Sequence, residues 1–330
     1  MTNPKVTIGV ILFKDTKYLA HSLTSLLDQD YENIEYIIRD QSPHGEVYSY
    51  LEEAHPEFFK KAKIVKGENI MHSGGHNEMI RHMKGEYYIC ASFDMLYPSD
   101  FVSKIIEEMQ KNDAKVATCR LMKWDFKKVL AGDLEASKTR TLDSLGIALT
   151  KSHQFVDTHE SEDERDVSHL PKIIGPSGAL GVYHKDALKE VAYKNKEGKL
   201  EYFDELMHYK NDCDLAYRFS WSGFPCLVVD TKVYHDRQLG KRSEKGKWEI
   251  ENSLKGHLIA VQKNFDPDFS WGVRLATFLK LKLRFLYILL LHPRSLKVYG
   301  EVRKLKSEIN RRKKAIRKNI SPKDLESIML

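Results

Sequence analysis

Residues 5–13, KVTIGVILF, are apolar and β-branched almost without a break, whereas residues 16–29 carry Leu19, Leu23, Leu26 and Leu27 at helical spacing. The first pattern suits a strand covered on both faces of a parallel sheet, and the second an amphipathic helix with Thr16 available as its N-cap. The alternation then repeats. IEYIIRD reads as a strand ending on Asp40, EVYSYLEEA as a helix, AKIVKG as a strand, GHNEMIRHM as a helix and EYYICASFD as a strand ending on Asp94. Strands and helices in this rhythm predict βαβ units, so the fold class is α/β with a mostly parallel central sheet flanked by helices. Ligands of such sheets sit at the C-terminal strand ends, here Phe13 and Lys14, Asp40 and Asp94.

The middle of the chain is less regular. KVATCRLMKW reads as a strand, DTHESEDERDVSHLP as an acidic loop, and IIGPSGALGVYHKDALKEV as a glycine-punctuated turn, strand and helix. YFDELMHYKNDCDLAYRFSWSG reads as one helix dense in acids and aromatics, and FPCLVVDTKVYHD as a strand ending near His235. From about Ser270 the pattern changes to RLATFLKLKLRFLYILLL, apolar but interrupted by Arg274, Lys280, Lys282 and Arg284. A bilayer-spanning helix needs about 20 apolar residues, so this segment predicts an amphipathic helix lying in a membrane interface. A helix packed on the domain, followed by a solvated basic coil, is the alternative.

Charge sharpens that division. From Arg274 to the end there are 16 Lys and Arg against 4 Asp and Glu, although the whole chain carries only +6, so the rest is acidic. A basic tail suits an anionic membrane face. A nucleic-acid role is not expected, because NRRKKAIRKN lacks interleaved aromatics. Cys90, Cys119, Cys213 and Cys226 show no CxxC spacing and read as free thiols of a reducing compartment. With no secretory pattern at the N-terminus, the expected location is cytoplasmic, peripheral on the inner face of the cell membrane. The expected domains are residues 1–240, carrying the sheet, and 241–330, a helical and membrane-associating extension. There is no GxxxxGK[ST], and no GxGxxG after the first strand, which argues against a P-loop enzyme or a dinucleotide oxidoreductase.

Taken in order, four stretches resemble the family 2 glycosyltransferases of the GT-A fold, and especially their rhamnosyltransferase-like branch. They are VTIGVILFK, SLLDQDYENIEYIIRDQS, SGGHNEMIRHMKGEYYI before SFD, and YFDELMHYKNDCDLAYR, within residues 5–236. The resemblance implies an inverting transfer from a UDP- or dTDP-sugar to a hydroxyl of a glycan or lipid-linked acceptor in cell-surface polysaccharide synthesis. Such a displacement needs a base for the acceptor proton and a cation for the departing diphosphate. Asp212 matches the base, with Asn211 where the family usually has Glu. Asp94 matches the last acid of the metal-binding DxD motif, with Ser92 in place of the first. His235 matches a histidine that completes the metal shell in some members.

The implied cofactor is Mn2+ or Mg2+, its binding weakened or lost through Ser92, with an imidazole ligand favouring Mn2+. Nucleotide contacts fall by resemblance on Phe13, Lys14, Asp40, Asn77, Ser92 and Phe93, with Asp40 accepting from N3–H of a pyrimidine. Gly178 and Ala179 fall on the acceptor side. Asp214 reads as structural, paired with Arg218 at i+4. Because Ser92 and Asn211 both replace acids, a catalytically silent binding or scaffold subunit is the alternative. Partners are then a nucleotide sugar, the acceptor and an anionic membrane reached through residues 274–330, with a homo-oligomer left open.

Overall fold

The protein is described here from a computed structural model, over residues 3–237 and 246–330. Its strands are β1 (Val6–Leu12), β2 (Ile34–Asp40), β3 (Ala62–Lys66), β4 (Tyr87–Ala91), β5 (Met95–Leu96), β6 (Val116–Trp124), β7 (Lys138–Ser144), β8 (Ile147–Leu149), β9 (Phe155–Asp157), β10 (Leu180–His184), β11 (Tyr193–Lys194), β12 (Leu200–Glu201) and β13 (Cys226–His235). Nine of them form one sheet in the order β3-β2-β1-β4-β10-β6-β13-β5, with β7 paired to β6. β3, β2, β1 and β4 run parallel, and the two central strands of this set, β1 and β4, are buried along almost their whole length. β10 enters antiparallel between β4 and β6, and β13 lies parallel to β6, so the second half of the sheet is mixed.

Each face of the sheet has its own core. Val6, Ile8, Val10 and Leu12 of β1 pack with the helices Leu19–Leu27 and Phe101–Lys111. On the other face Ile37, Tyr88 and Cys90 meet Met79 and Ile80 of the helix Met71–His82, with Tyr183, Phe203 and Phe219 beyond them.

A third cluster joins Ile147, Leu149 and Phe155 to the helix Asn211–Trp221 and to the C-terminal helices, through buried Val298, Val302, Ile309, Leu325 and Met329. Burying each such side chain contributes roughly 1.5–3 kcal/mol. The C-terminal helices therefore share a core with the sheet-bearing part of the chain. The helix Trp271–Leu291 joins this core through Val273 and Ile288 and leaves Trp271, Phe278, Leu283 and Leu290 more than half exposed.

One boundary differs from the sequence pattern. YFDELMHYKNDCDLAYRFSWSG is a loop followed by a helix that begins only at Asn211. Lys210 adopts a left-handed backbone (φ 67°), which ends any helical run before it.

Beneath that helix lies a buried ion network. Lys263 contacts Asp204 and lies 2.9 Å from Asp214, Arg218 Nε is 3.0 Å from Asp214, and Arg312 bridges Glu201 and Asp204 at 2.5 and 2.7 Å. Removing one partner of such a buried set leaves an uncompensated charge.

Candidate active site

Strand register assembles the site. β5 follows β4 after three residues and pairs with the end of β13, placing Met95 opposite His235. This brings Asp94 to within 3.5 Å of His235 Nε2. The other ring nitrogen, Nδ1, is 2.8 Å from Asp143 on β7, and Arg237 reaches Asp143 at 3.5 Å and Asp157 at 2.8 Å. Burial opposes a charge on His235, but the hydrogen bonds and charges of Asp143 and Asp94 outweigh it and raise its pKa to about 9. Asp143 is lowered: burial pushes it up, and the bond to His235 and the Arg237 charge more than reverse this.

Asp94 and His235 set one carboxylate oxygen beside one imidazole nitrogen, two of the donor types that divalent cations take. Asp143 fixes Nδ1 of His235, so that Nε2 is the nitrogen turned toward the Asp94 carboxylate, an arrangement that orients a histidine for metal ligation. Binding a cation there would displace the imidazole proton. Ser92, the residue in place of a second acid, lies half-buried in the same turn, and its carbonyl accepts from the Tyr97 hydroxyl at 2.8 Å.

Asp212 sits in the first turn of its helix and accepts the Gly178 N–H at 2.9 Å. A Cβ at position 178 would stand 3.1 Å from the Asp212 carboxylate oxygen and 3.3 Å from its Cβ, so a side chain there would press on Asp212 by a few tenths of an ångström. Asp212, Asp143, Asp157, Gly178, Ala179, Lys210 and Arg237 line one cavity of about 300 Å3. Asp94 does not line it, and is joined to it through His235 and Asp143. Of the two acids singled out by the sequence, only Asp212 lines this crevice; Asp94 lies behind it, linked through His235 to the lining residue Asp143.

A second cavity of about 500 Å3 lies at the C-terminal ends of the parallel strands, lined by Asp40, Gln41, Ser42, Lys66, Gly67 and Asn69 among others. The buried Asp40 carboxylate accepts from the Ser42 N–H at 2.9 Å, and Lys14 N–H donates to Ser42 Oγ at 3.1 Å. Lys14 is held in the left-handed region (φ 62°) with its ammonium 5.0 Å from the Phe13 ring. Phe93 packs edge-on against Tyr18, ring centroids 5.9 Å apart.

Asn77 is a correction. It is fully buried, its amide donating to Phe203 O and Glu205, both at 2.8 Å, while its oxygen accepts from Tyr202 and Phe203 N–H at 2.9 and 2.8 Å. All four hydrogen-bonding positions of the carboxamide are used, so it fastens the loop before Asn211 and has nothing left for a phosphate. Asn211 is likewise internal, donating to Ser73 Oγ at 2.6 Å.

Sequence reasoning missed Asp143, Asp157 and Arg237, which sit on short strands or beyond one, with no local signal. It also missed a cluster that spacing could have found. His72 and His76, one helical turn apart, meet Cys90 with ligand-type atoms all within 4.8 Å. Cys90 Sγ is 3.3 Å from His76 Nε2, and His72 Nε2 is 3.2 Å from Gly178 O, so the cluster forms the floor under the glycine turn. Burial pushes the Cys90 thiol up and holds both histidines down, leaving three neutral groups.

Comparison with known proteins bears on the fold and the family. The chain resembles a mannosyltransferase, PcManGT of Pyrobaculum calidifontis in complex with GDP-Man and Mn2+, with a TM-score of 0.50 and 16% identity over 95% of this chain and 86% of that one. It also resembles GalNAc-T7 with UDP, GalNAc and Mn2+, with a TM-score of 0.52 and 12% identity over 78% of this chain and 48% of that one. At these identities the likeness is one of fold. An uncharacterized glycosyltransferase of Haemophilus influenzae is 26% identical over 111 residues, so the match spans 33% of this chain and only 34% of that protein. Residues 7–191, more than half of the chain, match the family described as Glycosyl transferase family 2, and the chain belongs to that family.

Proposed function

We propose that the protein transfers a sugar, with inversion, from a UDP- or dTDP-sugar to a hydroxyl of a glycan or lipid-linked acceptor in cell-surface polysaccharide synthesis. The observation that carries this reading is one crevice lined by Asp212 and Asp143, with His235 and Asp94 linked to it behind Asp143. Asp212 takes the acceptor proton as the acceptor oxygen bonds to the anomeric carbon. The bond from that carbon to the diphosphate oxygen breaks in the same step, and its electron pair leaves with the nucleotide. Asp94 and His235 would hold a divalent cation, which supplies positive charge against the departing diphosphate. Asp40 accepts from the pyrimidine ring in the second cavity, and Phe13, Lys14, Ser92 and Phe93, which lie outside that cavity's lining, are the further nucleotide contacts of this reading. Gly178 presents backbone to the acceptor beside the base.

The neighbour bound to UDP and Mn2+ supports this donor class, although the mannosyltransferase takes GDP-Man. A panel of nucleotide sugars screened by thermal shift with added Mn2+, followed by assay of nucleotide release, tests the reading. Stabilisation and release with a UDP- or dTDP-sugar are expected, and binding without release under any acceptor condition would favour the scaffold role.

Peripheral attachment to the cytoplasmic face of a membrane is part of the proposal. It is supported by the exposed apolar side of the helix Trp271–Leu291, and among the described residues no helix is long and apolar enough to cross a bilayer. Deleting residues 274–330 would remove part of the core, so flotation with anionic vesicles is better compared between the native chain and Leu283→Ser/Leu290→Ser. Equal flotation would end this part of the proposal.

A further inference from the structure

A third cavity, of about 680 Å3, lies between Phe155 and Val156, the helix Lys247–Asn264 and the inner face of the helix Trp271–Leu291. Its lining is basic: Lys210, Lys280 and Arg284 stand against Glu249 alone, with the imidazoles of His257 and His292 beside them. Among the described residues, no carboxylate lies within ion-pair distance of Lys210, Lys280 or Arg284. Arg284 is half-buried and donates to the neutral Gln154 Oε1 at 2.5 Å. Burial, with the charges of Arg284 and Lys210 next in weight, holds His257 well below the ordinary histidine range. Like charges gathered in a partly desolvated hollow repel one another, and an anion placed among them relieves that repulsion.

Two features say which anion. The basic cavity shares Phe155, Val156, Lys210 and Ser253 with the Asp212 cavity, so a molecule held in one reaches the other across a single wall. Lys210 stands in that wall, kept in the left-handed region two residues before Asp212. The residue before it, Tyr209, packs its carbonyl so closely on Gly256 that a Cβ there would lie 1.9 Å away.

The same helix that turns Lys280, Arg284 and Ile288 into the cavity turns Leu279, Leu283, Leu286 and Leu290 outward, at 50, 62, 48 and 75% exposure. These four recur at i, i+4, i+7 and i+11, a continuous stripe about a third of a turn around from the basic lining. A soluble polyanion would need the cations and not the stripe. An amphiphile with an anionic head uses both.

We propose that this cavity holds the phosphate or diphosphate of a lipid-linked saccharide acceptor, with its hydrocarbon chain along the leucine stripe and its sugar hydroxyl delivered to Asp212. The proposal rests on the reading of Asp212 as the acceptor-side base, and it adds the chemical class of the acceptor and the groups that recognise it.

The test uses the full chain in detergent micelles, with geranylgeranyl diphosphate, geranylgeraniol and inorganic pyrophosphate as separate probes in calorimetric titrations. The lipid diphosphate should bind at least about tenfold more tightly than either of the others. Lys280→Gln/Arg284→Gln should weaken it about tenfold or more, as expected for loss of charge-assisted contacts. Leu283→Ser/Leu290→Ser should weaken the lipid diphosphate and leave pyrophosphate unaffected.

Pyrophosphate binding as tightly as the lipid diphosphate would reduce the site to a free-phosphate site and overturn the proposal. So would alcohol binding equally well, or no change in the basic variant. Nucleotide-sugar binding, read by thermal shift on the same samples, separates the two levels. Donor binding with no preference for the lipid diphosphate sinks the acceptor site alone, whereas lipid diphosphate binding without any donor binding sinks the transferase reading and leaves the cavity's ligand standing.

Discussion

Asp212 and Asp214 are two residues apart on one helix, and they live in opposite worlds. Successive helical residues turn by about 100°, so a step of two carries the side chain to the other side of the axis. Asp212 faces the crevice, half-exposed, beside the Gly178 N–H. Asp214 faces inward at 0% exposure, among Arg218, Lys263 and Asn264. Burial pushes the Asp214 pKa up, but Lys263 and Arg218 outweigh it, so the carboxylate stays charged in the core. The contrast teaches that a carboxylate's role here follows from the cations around it. Asp214, surrounded by buried cations, holds segments together; Asp212, lining an open cavity, is the acid proposed as the base.

The sharpest way to break this comparison is to neutralise each acid in turn. Asp212→Asn should lower turnover by about 10²–10⁴-fold while melting temperature and donor binding stay close to native, as measured by nucleotide release and thermal shift. If that variant keeps native turnover, the base lies elsewhere. Asp214→Ala should do the reverse, costing about 3–5 kcal/mol in urea unfolding, because Lys263 and Arg218 are left buried without their partner. An unchanged unfolding midpoint would remove the distinction.

Acid sharpens the structural side. His153 is fully buried between Thr277 and Tyr217, at 2.7 and 2.8 Å, and burial lowers its pKa to about 4. Its folded pKa lies below the unfolded value of about 6.5, so the unfolded chain binds the proton more readily. Its contribution is complete above about pH 6.5 and is lost as pH falls toward 4, reaching about 3 kcal/mol. Unfolding free energy measured across that range should fall more steeply for the native chain than for His153→Asn. Parallel slopes would show that His153 does not carry the effect.

The smallest effect expected is on the crevice side. Ser92→Asp adds a carboxylate beside Asp94 and should lower the Mn2+ concentration giving half-maximal turnover by a few fold. A rise would mean that Ser92 does not face the cation.

Much of the fold was legible in the chain. Apolar runs gave β1, β2 and β4 because strands buried on both faces must be apolar throughout, and leucine spacing gave the helix Leu19–Leu27 for the corresponding reason. The i,i+4 pairing of Asp214 with Arg218 was readable from spacing, since helix geometry fixes it. The motifs singled out Asp94 and Asp212 as candidate site acids, and the proposed function keeps them in those roles.

What the sequence could not contain is which distant residues meet. Asp143 comes to His235 through the pairing of β7 with β6, Lys263 and Arg312 reach Asp204 only when the C-terminal helices dock, and Asn77 is consumed by a loop more than a hundred residues away. Local pattern records the burial each residue needs. Long-range partners are chosen when the sheet closes and the helices pack, and for that reason the distant cations of the core acids and the distant neighbours of the crevice acids are set only in three dimensions.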